Sequence, residues 1–187
     1  MSHRQAGRFA GALFLGVFLL YGMGSALELQ PAGITLMLLN SAGVAAIGVI
    51  LFRLLRPAAP RTALLYVLTR LTEAVLLAVG VVFLAGGNTS ANNAVYVVAM
   101  VVLGVGSLPF CLALTRQNGT PRWFGVWGMA GYALLALGVV LEPAVPGAGV
   151  ALAVPGGLFE VALGVLLLVR GWPADTSTST PPAAAVR

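Results

Sequence analysis

Apolar residues fill six stretches of the chain, at about 9–27, 34–52, 62–84, 94–114, 123–142 and 149–170, and polar residues gather between them. A helix needs ~20 predominantly apolar residues to cross a hydrocarbon core about 30 Å thick, and each stretch is of that order. The segments between them carry turn residues: Glu28 to Gly33, Pro57 and Pro60, Gly86 to Asn93, Arg116 to Arg122, and Pro143 to Gly149. The pattern predicts an all-α polytopic membrane protein, a compact bundle of six transmembrane helices in one domain over residues 1–172. The Ser/Thr/Pro/Ala-rich stretch 173–187 reads as a disordered tail. The first apolar stretch has a basic start and small residues at Gly24 and Ala26, as a signal peptide would. It is long enough to span, so a retained helix is the better reading.

Composition agrees with the pattern. Of 187 residues 59% are hydrophobic and 8% charged, against roughly 25% charged in a soluble domain. The formal charge of +5 would suggest nucleic acid in a soluble protein, but here it comes from arginines spread singly over the loops. Arg4 and Arg8, then Arg53, Arg56 and Arg61, then Arg116 and Arg122, then Arg170 and Arg187 all fall on one side of a six-span topology. The other side holds Glu28 and Glu142. By the positive-inside rule both termini are cytoplasmic. All ten basic residues are Arg, and with the richness in Ala, Gly, Val and Leu this reads as a GC-rich bacterial genome, so the expected location is the inner membrane of a bacterium. The partners this predicts are the lipid bilayer and either a membrane-protein partner or a second copy of the chain, with no nucleic acid.

Three charges break the pattern from inside. Arg70 and Glu73 sit in the third stretch and Glu160 in the sixth. At 1.5 Å per residue, Glu73 lies ~16 Å into its span and Glu160 ~15 Å from the same side, with Arg70 about one turn nearer the cytoplasm. Each such residue costs about 2.5–3.5 kcal/mol at a helix centre, so three unpaired would approach ~9 kcal/mol, comparable to a whole protein's stability. They must face the bundle interior and pair. Arg70 and Glu73, three apart, share a helix face, and Glu160 completes the fork of the guanidinium from across the bundle. With both acids ionised the trio carries net charge −1, which a proton, a cation or a ligand's positive group would balance. Tyr66, Asn40 and Tyr132 are candidate lining residues of the same polar site, although each alone is more simply an interhelical hydrogen-bonder.

Prolines mark two further points. Pro109 predicts a kink in the fourth span. Pro155-Gly156-Gly157 either kinks the sixth span or breaks it, with the regular helix starting at Pro155 and Glu160 in its opening turns; the kink is the weightier reading. Other chemistry is excluded by what is missing. The one histidine, His3, is outside the bundle, Asp175 is in the tail, and there is no lysine. Histidine metal or haem ligation, an intramembrane catalytic dyad and a Schiff base therefore have no residues to carry them. The lone Cys111 allows no intramolecular disulfide. No cofactor and no enzymatic activity are expected.

Several motifs follow a known order. Arg8-Phe-Ala-Gly11, Arg70-Leu-Thr-Glu73, Pro121-Arg122-Trp123, Trp127-Gly128-Met-Ala-Gly131 and Pro155-Gly-Gly-Leu-Phe-Glu160 are followed by Gly164 and Arg170-Gly171-Trp172. Together they resemble bacterial integral membrane proteins grouped as domain of unknown function family 4386, with Arg170-Gly171-Trp172 standing where Lys-Gly-Phe is usual. The resemblance implies a multi-helix membrane protein and brings no activity with it. Two functions then compete. One is a structural or interaction bundle stapled by the Arg70–Glu73–Glu160 network. The alternative is a small proton- or cation-coupled transporter, or a membrane ligand sensor, using Glu73 or Glu160.

Overall fold

A computed structural model describes residues 2–27, 30–117 and 120–172; Glu28, Arg187 and the predicted tail lie outside them. The described residues form helices α1 (His3–Ala26), α2 (Pro31–Leu55), α3 (Pro60–Ala85), α4 (Thr89–Gly106), α5 (Leu108–Arg116), α6 (Arg122–Leu141) and α7 (Ala148–Arg170). With α4 and α5 taken as one span, six helices among the described residues are long and apolar enough to cross a membrane.

Local chemistry sets the ends. α1 starts ahead of its apolar run because Ser2 and Gln5 close a capping box, with Gln5 N–H donating to Ser2 Oγ at 3.3 Å and Ser2 N–H donating to Gln5 Oε1 at 3.1 Å. Pro31 and Pro60 occupy the first turns of α2 and α3, where a missing N–H is harmless. The fourth span is interrupted rather than bent within one helix. α4 ends at Gly106, and Pro109 lies in the first turn of a new helix after Ser107. The Pro155 region behaves otherwise: α7 runs unbroken from Ala148 to Arg170 with Pro155 inside it. Glu160 is therefore mid-helix rather than in the opening turns of a helix that starts at Pro155.

α1 packs on α2, α2 on α3, α3 on α4, α4 and α5 on α6, α6 on α7, and α7 back on α1. The spans close a ring in which α3 and α7 do not pack on each other. Close approach around the ring depends on missing side chains. A Cβ on Gly11 would come 2.5 Å from Gly164 O and Leu168 N, and one on Gly131 would come 2.7 Å from Gly156 Cα. The outer surface is apolar. Leu68, Leu71, Val75, Val79 and Val82 form one exposed stripe on α3, as a lipid-facing helix requires. The opposite stripe, Tyr66, Arg70, Glu73 and Gly80, is buried.

Candidate functional site

Arg70 spans the inside of the ring. Its Nη1 donates to Glu73 Oε2 at 3.0 Å and its Nη2 to Glu160 Oε1 at 2.5 Å, so one guanidinium joins α3 to α7. Its Nε donates to Tyr66 OH at 2.9 Å, one turn earlier on α3. Tyr132, from α6, donates its hydroxyl to Glu160 Oε1 at 2.6 Å and receives a longer bond, 3.4 Å, from Arg70 Nη2. The Phe14 and Tyr66 rings lie 5.5 and 5.4 Å from the guanidinium carbon, within cation–π range. Arg70, Glu73, Tyr66, Tyr132 and Glu160 are all buried.

Neighbouring helices hold this arrangement in place. Gly48 on α2 lets the Arg70 stem pass, because a Cβ there would lie 2.7 Å from Arg70 Cβ. Trp127 Nε1 donates to Pro155 O at 3.1 Å and ties α6 to α7 one turn before Glu160. Phe159 fills the space beside it, its ring 5.8 Å from that of Tyr132 and 5.0 Å from that of Phe124.

The donors of Arg70 do not exhaust the acceptors around it. A cavity of about 210 Å³ lies against Arg70, Glu73, Glu160, Tyr132 and Asn40, walled by apolar residues that include Val44, Met100 and Leu103. A second cavity, about 380 Å³, shares Tyr21, Asn40, Leu77 and Tyr96 with the first. It extends to Gly80, Asn92, Asn93 and Val150, at the end of the ring where the α3–α4 and α6–α7 turns lie. The Tyr21 and Tyr96 rings stack at 6.2 Å where the two cavities meet. Among the described residues Glu73 Oε1, Glu160 Oε2 and the Asn40 amide make no hydrogen bond.

The sequence-derived residues thus meet in one place, with different roles. Arg70, Glu73 and Glu160 form the ion-pair network; Tyr132 bonds within it; Tyr66 supports Arg70 from outside the chamber; Asn40 lines both cavities without a partner. Tyr21 stands in the first apolar stretch with nothing to single it out, and Asn92 and Asn93 fall at the end of the predicted turn segment Gly86 to Asn93. Tyr96 carried no expectation at all. The spacing Asn92, Tyr96, Met100, Leu103 is that of one helix face and was the available signal. No group of three or more His, Cys, Asp or Glu among the described residues is placed to hold a metal ion. The family described as Domain of unknown function (DUF4386) matches residues 28–171. Neither a curated protein nor a solved structure matches the chain.

Proposed function

Because the chain belongs to the DUF4386 family, whose description carries no activity, we propose its function from the chamber itself: a membrane-embedded cation-binding site, serving a small proton- or cation-coupled transporter or a ligand sensor. The observation that carries this reading is that an internal cavity reaches both carboxylates while one guanidinium serves them. With both acids ionised the site keeps a surplus negative charge, and a buried charge left without a counterion is costly. Intramembrane ionisable groups beside a cavity mark ion or substrate paths in general.

Orientation gives the chamber a direction. Arg4, Arg8, Arg53, Arg56, Arg61, Arg116, Arg122 and Arg170 stand at one end of the spans. Placing that end in the cytoplasm of a bacterium leaves both termini inside and the second cavity facing outward. Tyr21 and Tyr96, which line both cavities, then stand on the outer side of the site, and Phe14 and Tyr66 pack against Arg70.

A second reading rests on a different observation. α3 and α7 meet through Arg70–Glu160 rather than through packing, so the network also serves as a staple across the ring. Glu160→Gln separates the two readings. In proteoliposomes containing a pH-sensitive dye, the cation-binding reading expects the wild type to move protons when a cation gradient is applied. The variant should fold, with a weaker α3–α7 bridge, and lose this response. A variant that melts early in detergent, beside a wild type that answers to no cation, would leave the staple alone standing.

A further inference from the structure

The chamber's surroundings define its ligand more closely. Three residues that line one cavity carry acceptor oxygens without partners, Glu73 Oε1, Glu160 Oε2 and the Asn40 amide oxygen, with Asn40 itself only 5% exposed. A desolvated inorganic cation wants about six oxygen ligands. The free carboxylate and amide oxygens here fall short of that number; Arg70, Tyr21, Tyr96 and Tyr132 also line the cavity, and the rest of its wall is largely apolar, with Val17, Val44, Met100, Leu103 and Leu135. A primary ammonium group carries three N–H donors, which matches three acceptors, and an attached hydrocarbon suits the wall.

The ring is also weakest beside this chamber. In α1 and α7, 28% of the apolar window is buried inside the protein, against 39–44% in the other four spans. The two helices are in close contact in their arginine-end halves, where Gly7 meets Trp172 and Gly11 meets Gly164. Toward the other end the contact thins. No α7 residue before Gly156 is buried. Beyond Val17, the one buried α1 residue is Gly24, which abuts Gly33 and Met37 of α2 instead. Phe18 reaches across, its ring 3.6 Å from where a Gly157 Cβ would stand. Phe18, Gly157 and Ala153 line the chamber from this side. The lateral wall is thus thin and apolar on the bilayer side and acidic within.

We infer that the chamber takes an amphipathic primary ammonium ion from the bilayer, its headgroup between Glu73, Glu160 and Asn40 and its hydrocarbon lying in the seam between the outer halves of α1 and α7. The inference deepens the cation-binding reading and rests on it. Free alkylamines and the ethanolamine headgroup of a phospholipid share this chemistry.

The test is calorimetric titration of the full chain in phosphatidylcholine nanodiscs with hexylammonium, methylammonium, hexyltrimethylammonium and hexanol. Hexylammonium should bind, and each of the others at least about tenfold more weakly, since each lacks the tail, the N–H donors or the charge. Glu160→Gln and Asn40→Leu should each weaken hexylammonium about tenfold. The wild-type ligand series stands even if those variants fail to fold. Association rates across butyl-, hexyl- and octylammonium should rise with partition into the disc. Adding phosphatidylethanolamine to the discs identifies the source: competition with hexylammonium means a lipid headgroup, and no competition means a free amine. Methylammonium or hexyltrimethylammonium binding as well as hexylammonium would overturn the inference while leaving a cation site. Hexanol binding equally well, or no probe binding, would overturn both. A rate independent of chain length would overturn the route through the seam.

Discussion

Arg70→Gln is the substitution to which the network should be most sensitive. In the wild type one buried guanidinium faces two carboxylates at 3.0 and 2.5 Å and takes a tyrosine oxygen at 2.9 Å. Removing the cation moves the trio from net charge −1 to −2 inside the membrane. Glutamine cannot reach α7 with a forked donor. Breaking a buried pair by removing one partner costs about 3–5 kcal/mol, and here two acids lose the same partner, so the upper half of that range applies. For a chain of this size each kcal/mol shifts the midpoint by roughly 2–4 °C, which puts the fall in thermal midpoint at about 8–20 °C. The assay is thermal unfolding in mild detergent followed by intrinsic tryptophan fluorescence, with the triple variant Arg70→Gln, Glu73→Gln, Glu160→Gln alongside. The triple variant removes the uncompensated charge and keeps an amide donor and acceptor at each of the three positions, so it should recover most of the loss. A single variant that loses less than ~1 kcal/mol would show the charges to be screened as on a surface, and the pairing argument would fail. A triple variant no better than the single would mean that hydrogen-bond geometry, not charge balance, holds α3 to α7.

Two other outcomes follow from the same structure. Gly131→Val places side-chain atoms where Gly156 backbone stands 2.7 Å from the Cβ position, so α6 and α7 must part, at about 1–3 kcal/mol; Gly16→Ala, with nothing within 4 Å of its Cβ, should leave the midpoint unchanged or raise it, and equal effects in thermal unfolding would refute the packing account. At the α6–α7 turn, Glu142 accepts from Gly147 N–H at 2.9 Å and Gly149 N–H at 2.5 Å, and these bonds hold its carboxyl below the usual range. Its contribution is therefore present in full above the ordinary carboxylate pKa and lost as pH falls through the lowered folded value; the protection of the Gly147 and Gly149 amides against hydrogen exchange, corrected for the intrinsic pH dependence of exchange, should fall on acidification through that window, and in Glu142→Gln be low already at neutral pH and unchanged by acid.

How much of this was legible in the sequence differs by level. Helix number follows from apolar run length, because a bilayer leaves few alternatives to a hydrogen-bonded helix. The helix ends extended past the runs at Ser2 to Arg8 and at Pro31 and Pro60, where capping and first-turn proline, rather than hydropathy, decide the boundary. Charge cost alone predicted that Arg70, Glu73 and Glu160 would come together. The proline effects were harder, since each depends on its neighbours. Pro109 follows Gly106 and Ser107, and a new helix begins there; Pro155 is held inside α7, with Trp127 bonded to its carbonyl oxygen. The vestibule was not legible as a cavity. Tyr21 and Tyr96 lie on α1 and α4, which do not pack on each other, and only a closed ring sets their rings face to face.

The closed ring also bears on the choice between staple and binding site. Helices that pack directly need no ion pair to hold them, and α6 already clasps α7 through Gly131 and Gly156. A single Arg–Glu pair would suffice to bridge α3 and α7. The second acid is then the informative residue. Glu73 shares its helix with Arg70, so its bond adds nothing across the ring, yet it brings another charge into the membrane at a cost of about 2.5–3.5 kcal/mol. A staple alone gives no reason to place Glu73 there. A chamber that must attract a positive group does, because Glu73 supplies the charge that Arg70, already matched by Glu160, leaves unbalanced. Glu73→Gln should therefore change stability little and cation binding strongly, whereas Glu160→Gln affects the bridge as well.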